Sequence, residues 1–118
     1  MKTFNKSKYN RLCAEFLDNW SDTGLEPAYY VKNGKGYRLS ELLFDSDWNW
    51  IMEVVEKIES LENYYIQIEE QVCYIYDITK FDNIQTNAFI ISDNKHNSKK
   101  EAVVQAIWEF LNWYEKHK

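Results

Sequence analysis

Glycine, proline and cysteine are all scarce here: 118 residues contain 3, 1 and 2 of them. So little glycine and proline excludes collagen-like and low-complexity architectures, and no Pro/Gly-rich stretch marks a domain boundary. A single domain over residues 1–118 is expected, and a chain of that length can bury about two-thirds of the surface its unfolded form exposes. Cys13 and Cys73 are distant in sequence and have no further thiol to pair with, so they fit a reducing cytoplasm rather than a disulfide framework. Long apolar runs are missing too. No segment approaches the roughly 20 residues of a membrane helix, and the opening "MKTFNKSKYNRL" lacks the apolar block of a secretory signal. Cations are the minority, with 14 Lys+Arg against 19 Asp+Glu and a net charge of −5. Sequence-independent nucleic-acid binding relies on cations displacing counterions from phosphate, so that function is disfavoured.

Aromatic residues are what the chain has in excess: 5 Trp, 9 Tyr and 6 Phe, or 17%. Many must fill the core, but Tyr and Trp also anchor interfaces. Tyr9, Leu12, Cys13, Phe16 and Leu17 recur at helical spacing over residues 7–19, with Trp20 closing the stripe. "SDTGLEP" (21–27) reads as a loop. "AYYVK" and "GYRLS" flank "NGKG", which predicts a hairpin with a tight turn at Asn33-Gly34 and a bulge at Gly36. Over residues 48–61, Trp48, Ile51, Val55, Ile58 and Leu61 share one helical face, beside a water-facing stripe of Glu53, Glu56, Glu59 and Glu62.

"NYYIQIEEQVCYIYDI" alternates as a second hairpin. Tyr64, Ile66 and Ile68 share a face, and either Val72/Tyr74/Tyr76 or Cys73/Ile75 point inward on the return strand. "NAFIIS" (87–92) suggests a fifth, shorter strand. Ser98 and Glu101 form a capping box ahead of a last helix with Val103, Ala106, Ile107, Phe110, Trp113 and Tyr114 on its apolar face. Lys116 and Lys118 suit its negative end. The order α-β-β-α-β-β-(β)-α predicts an α+β sandwich: three helices with a mostly antiparallel sheet of four to five strands.

"DSDWNWIMEVVEK" (45–57) raises the question of a metal. It matches a calcium loop at Asp45, Asp47, Asn49 and Glu56, but Trp50 stands where that loop needs a glycine at positive φ. A helix start capped by Ser46 or Asp47 explains the same residues. It also carries Glu56 more than two turns away, about 12–14 Å along the axis.

Other chemistry finds little support. A catalytic thiolate needs a base within reach and an electropositive setting, whereas Cys73 lies in an apolar strand pattern and His96 in a loop. A structural cysteine and a solvated His117 are expected. Zinc needs Cys/His pairs at ligand spacing, and neither cysteine has such a partner. "NGKG" is followed by no helix that could hold a phosphate. No catalytic, cofactor-binding or metal-binding residue is assigned.

The stretch "SDWNWIMEVVEKIESL" (46–61) resembles the central motif W-x-W-[LI]-M-x-V-V-E-K-I-E of small phage and prophage proteins described as ABA-sandwich-type domains. "RLCAEFLDNW" and "SKKEAVVQAIWEFLNWYEKHK" are similar to that family's opening and closing helices. The likeness covers roughly half the chain; Glu53 replaces a proline of the pattern. It implies a fold and an origin and carries over no catalytic residue, since the family's function is largely unknown.

The expectation is a non-enzymatic phage-derived accessory protein in the bacterial cytoplasm, without a cofactor, acting as a monomer or weak homodimer. Its partner would be a host protein that it inhibits, such as a CRISPR effector or its RNA complex, with no direct sequence-specific nucleic-acid or membrane binding. Candidate contacts are the outward aromatics Tyr29, Tyr30, Tyr37, Tyr65, Tyr74 and Tyr76, and the Glu53/Glu56/Glu59 stripe, which could imitate a phosphate backbone or simply be solvated. A self-associating structural module, or a small enzyme using Cys73 and His96, are the alternatives.

Overall fold

Each of the three helices starts on a side-chain cap that accepts a backbone N–H left open by the first turn. In the computed structural model, which describes residues 3–24, 29–78, 88, 90–92 and 98–117, α1 (Lys6–Leu17) starts on Asn5, which accepts from the Lys8 N–H at 3.0 Å. Asp47 caps α2 (Trp48–Ser60) through the Asn49 N–H at 2.8 Å. Ser98 precedes α3 (Lys99–His117), its Oγ accepting from the Glu101 N–H at 3.1 Å while its hydroxyl faces the Glu101 carboxylate at 3.3 Å.

The strands do not join into one sheet of four to five. They form two antiparallel sheets of three: β1 (Ser21–Asp22), β2 (Tyr29–Lys32) and β3 (Lys35–Arg38) in one, β4 (Tyr64–Glu69), β5 (Val72–Asp77) and β6 (Ile90–Ser92) in the other. Ser21 and Asp22, read as loop in the sequence, pair with Val31 and Tyr30. β4 is the edge strand of its sheet and the one that meets α2. Its Ile66 N–H, turned away from β5, donates to the Glu59 carboxylate of α2 at 3.3 Å, so a helix side chain occupies a ladder position on that edge.

Asn33 and Gly34 both have positive φ, 53° and 79°, as a two-residue hairpin turn requires. Gly36 makes no bulge; it pairs in register with Val31.

The β4–β5–β6 sheet lays one face on α3 and α2, and α1 packs on both helices from the other side. Ile66, Cys73, Ile75, Ile90 and Ser92 point into this interior, which decides the orientation of the second hairpin. The helices contribute Tyr9, Leu12, Cys13, Ile51, Val54, Val55, Ile58, Ala106, Ile107, Trp108 and Phe110. Trp48, expected on the apolar face, is 36% exposed. Trp50 packs inward in its place, its ring 4.9 to 5.5 Å from those of Phe44, Trp20 and Tyr37.

Phe44, in the segment leading to α2, is tied to α1. The Tyr9 hydroxyl donates to its carbonyl at 2.9 Å, and Asn10 Oδ1 accepts from its N–H at 2.9 Å. Among the described residues no helix is long and apolar enough to cross a membrane.

Candidate functional site

Antiparallel register places directly opposed residues on the same face of a sheet. Tyr65 opposes Tyr76, Gln67 opposes Tyr74, and Tyr74 opposes Ile91. These five side chains therefore share the face of β4–β5–β6 turned away from the helices. Tyr65 and Ile91 are 52% and 51% exposed, and Tyr74 and Tyr76 are half-buried. The rings form a row, with centroids 6.0 Å apart for Tyr65–Tyr76 and 6.2 Å for Tyr74–Tyr76. The Tyr76 hydroxyl donates to Gln67 Oε1 at 2.9 Å, and Gln67 Nε2 donates in turn to Glu69. That chain fixes the Tyr76 ring and leaves its apolar face outward.

No Lys or Arg occurs in β4, β5 or β6. Burial pushes the Tyr76 phenol above its ordinary pKa, with Tyr74, Glu69 and Tyr65 adding to the effect. The face is apolar and aromatic, and its strands carry no cation.

The other predicted contacts fall elsewhere. Tyr30 is not outward; at 1% exposure it is core, with Arg11 and Glu15 of α1 among its charged neighbours. Tyr37 is half-buried in the aromatic cluster with Trp20 and Trp50. The Tyr29 side chain lies outside the described residues. Tyr64 faces inward onto Phe110, at 5.0 Å.

The acidic stripe is not a row of free charges. Glu53 holds Lys32 at 2.9 Å, and that ammonium also lies 5.4 Å from the Trp20 ring centre. Glu59 caps β4. Glu56 alone of the three makes no hydrogen bond or ion pair with a described residue. Ile91 was missed because a strand pattern reveals alternation but not which side faces water.

The calcium-like residues are used otherwise. Asp47 caps α2, while Asp45 turns to α1, accepting from Asn10 Nδ2 at 3.3 Å with Lys6 at 3.8 Å. Among the described residues no three His, Cys, Asp or Glu side chains gather where they could hold an ion.

Both cysteines are buried and unpaired. Burial pushes the Cys73 thiol up to about 12 and the Cys13 thiol higher still, so both are protonated at neutral pH and poorly nucleophilic. His96 lies outside the described residues. His117 stacks on Trp113 at 4.7 Å.

A raised thiol pKa stabilises the fold fully below the unfolded value near 9.0, and that contribution is lost as pH climbs toward 12. Wild-type unfolding free energy should thus fall between pH 9 and 12, and Cys73→Ala should fall less steeply. Native protein should also resist Ellman's reagent at pH 8, while protein in guanidinium chloride reacts at both thiols. Rapid native labelling of Cys73 would contradict its burial. Comparison with known protein families, curated proteins and solved structures finds no match.

Proposed function

We propose that this protein works by binding rather than turnover: a phage- or prophage-derived accessory protein that seats on a bacterial host protein and inhibits it. A host-defence effector nuclease of the CRISPR kind, alone or with its RNA, is the partner class. The observation carrying the reading is the Tyr65/Tyr74/Tyr76/Ile91 face, where exposed Tyr65 and Ile91 flank two half-buried tyrosines on one face of a paired sheet. Monomers rarely leave such groups clustered without a use for them. Two buried, protonated thiols support the absence of thiol catalysis, and the likeness of residues 46–61 to the phage sandwich motif supports the origin.

The test is capture from a bacterial lysate, followed by inhibition assays on the captured protein, with wild type and Tyr65→Ala/Ile91→Ser compared. These are the two most exposed members of the face, so their loss should leave the thermal midpoint nearly unchanged. Binding should weaken about 30-fold or more, the effect of losing a hot-spot anchor of about 2 kcal/mol. Undiminished capture and inhibition by the variant would rule the face out. Sedimentation of the purified protein covers self-association: a wild-type dimer that the same variant dissolves would assign the face to a second copy.

A further inference from the structure

A second surface, sharing no residue with the tyrosine face, lies where the three helices end. Two adjoining cavities of about 80 and about 230 Å³ share Glu15, Phe16 and Tyr114. α1 supplies Leu12, Glu15 and Phe16, with Asp18 at its C-cap; α2 supplies Lys57, with Leu61 at its C-cap; α3 supplies Leu111, Tyr114 and Glu115. Every one belongs to the C-terminal half or cap of its helix. The negative ends of three helix dipoles therefore converge on one groove.

Acids outnumber cations among the lining residues, with Glu15, Asp18 and Glu115 against Lys57. α1 has no basic residue in its last turn and carries Glu15 there, followed by Asp18. Acids at a helix C-terminus oppose the dipole, and such departures from local rules concentrate at functional places. Among the lining residues Lys57 is the only cation, and it is paired with Asp18 at 3.3 Å. Lys116 and His117 follow Glu115 but do not line either cavity. The floor is aromatic: Phe16 and Tyr114 meet edge to face at 5.6 Å and 85°, forming a corner between carboxylates.

We infer that this groove receives an arginine-bearing segment of a partner protein, the guanidinium seated against Phe16 and Tyr114 and held by Glu15 and Glu115. A guanidinium is planar and weakly hydrated, stacks on aromatic rings and pairs with carboxylates through a fork of N–H donors. A lysine ammonium offers a point charge without the plane, and citrulline keeps the shape without the charge.

The test uses three capped tripeptides, of arginine, lysine and citrulline, titrated into isotopically labelled full-length protein and followed by amide chemical shifts. The arginine peptide should perturb residues 12–18, 57–61 and 111–115, saturably, and bind about tenfold tighter than the citrulline peptide, as losing one charge-assisted contact implies. Glu15→Gln/Glu115→Gln, both exposed positions, should weaken it by a similar factor at an unchanged thermal midpoint, and Tyr114→Leu should erase the preference for arginine over lysine. If the double variant shifts the midpoint, the single Glu15→Gln carries the comparison. Shifts elsewhere on the molecule, equal binding of citrulline, or indifference to the glutamine variants would overturn the assignment.

Discussion

Phe110→Ala is expected to lower the free energy of unfolding by about 3–5 kcal/mol, the range for removing a buried aromatic ring and leaving a cavity. Phe110 is fully buried on α3. Its ring lies 6.1 Å from Phe16 of α1, 5.0 Å from Tyr64 of β4 and 5.5 Å from Tyr114, on which it stacks. One side chain thus links two helices and the sheet, and no neighbour can fill the gap without leaving its own packing. Natural domains are stable by about 5–15 kcal/mol, so the loss takes a large share of the total. Urea denaturation should show a lower midpoint at an unchanged slope. A loss below about 1 kcal/mol would mean that the cluster repacks and that the ring is no keystone.

Asn10→Ala is the second large effect, about 1–3 kcal/mol from the stranded Phe44 N–H alone. Asn10 is buried, and all its polar atoms are engaged: Oδ1 with Phe44, Nδ2 with the Lys6 carbonyl at 3.2 Å and Asp45 at 3.3 Å. It fixes the segment that delivers Asp47 to cap α2. Asn10→Asp keeps the acceptor for Phe44 but sets a second carboxylate against Asp45. That variant should be destabilised at neutral pH and recover as acid protonates one of the pair. Equal stability of Asn10→Asp at pH 4 and pH 7 would remove this reading of the contact.

The helices were legible because their signals are local. Asp47 before Trp48, Ser98 before Lys99, and the three- and four-residue spacing of Ile51, Val55 and Ile58 need no distant residue to be read. The Asn33-Gly34 turn was legible for the same reason, since both positions must adopt positive φ. The orientation of the second hairpin was not. Tyr64/Ile66 and Tyr65/Gln67 alternate equally well, and only the docking of α3 made the isoleucines the inner set. Tyr30 misled because a tyrosine in a short hairpin resembles a surface residue until α1 closes over it. The Glu53/Glu56/Glu59 row looked free in one dimension, yet Lys32 and the Ile66 N–H, 21 and 7 positions away, claim two of its members.

Sequence alone fixed three amphipathic helices, two hairpins, an acidic balance and an aromatic surplus, because propensity, capping and periodicity act over a few neighbouring residues. Tertiary structure decided how the strands divide into two sheets, which tyrosines meet water, and that three helix ends meet at one groove. Those outcomes depend on contacts between residues far apart in the chain, whose energies no local pattern records.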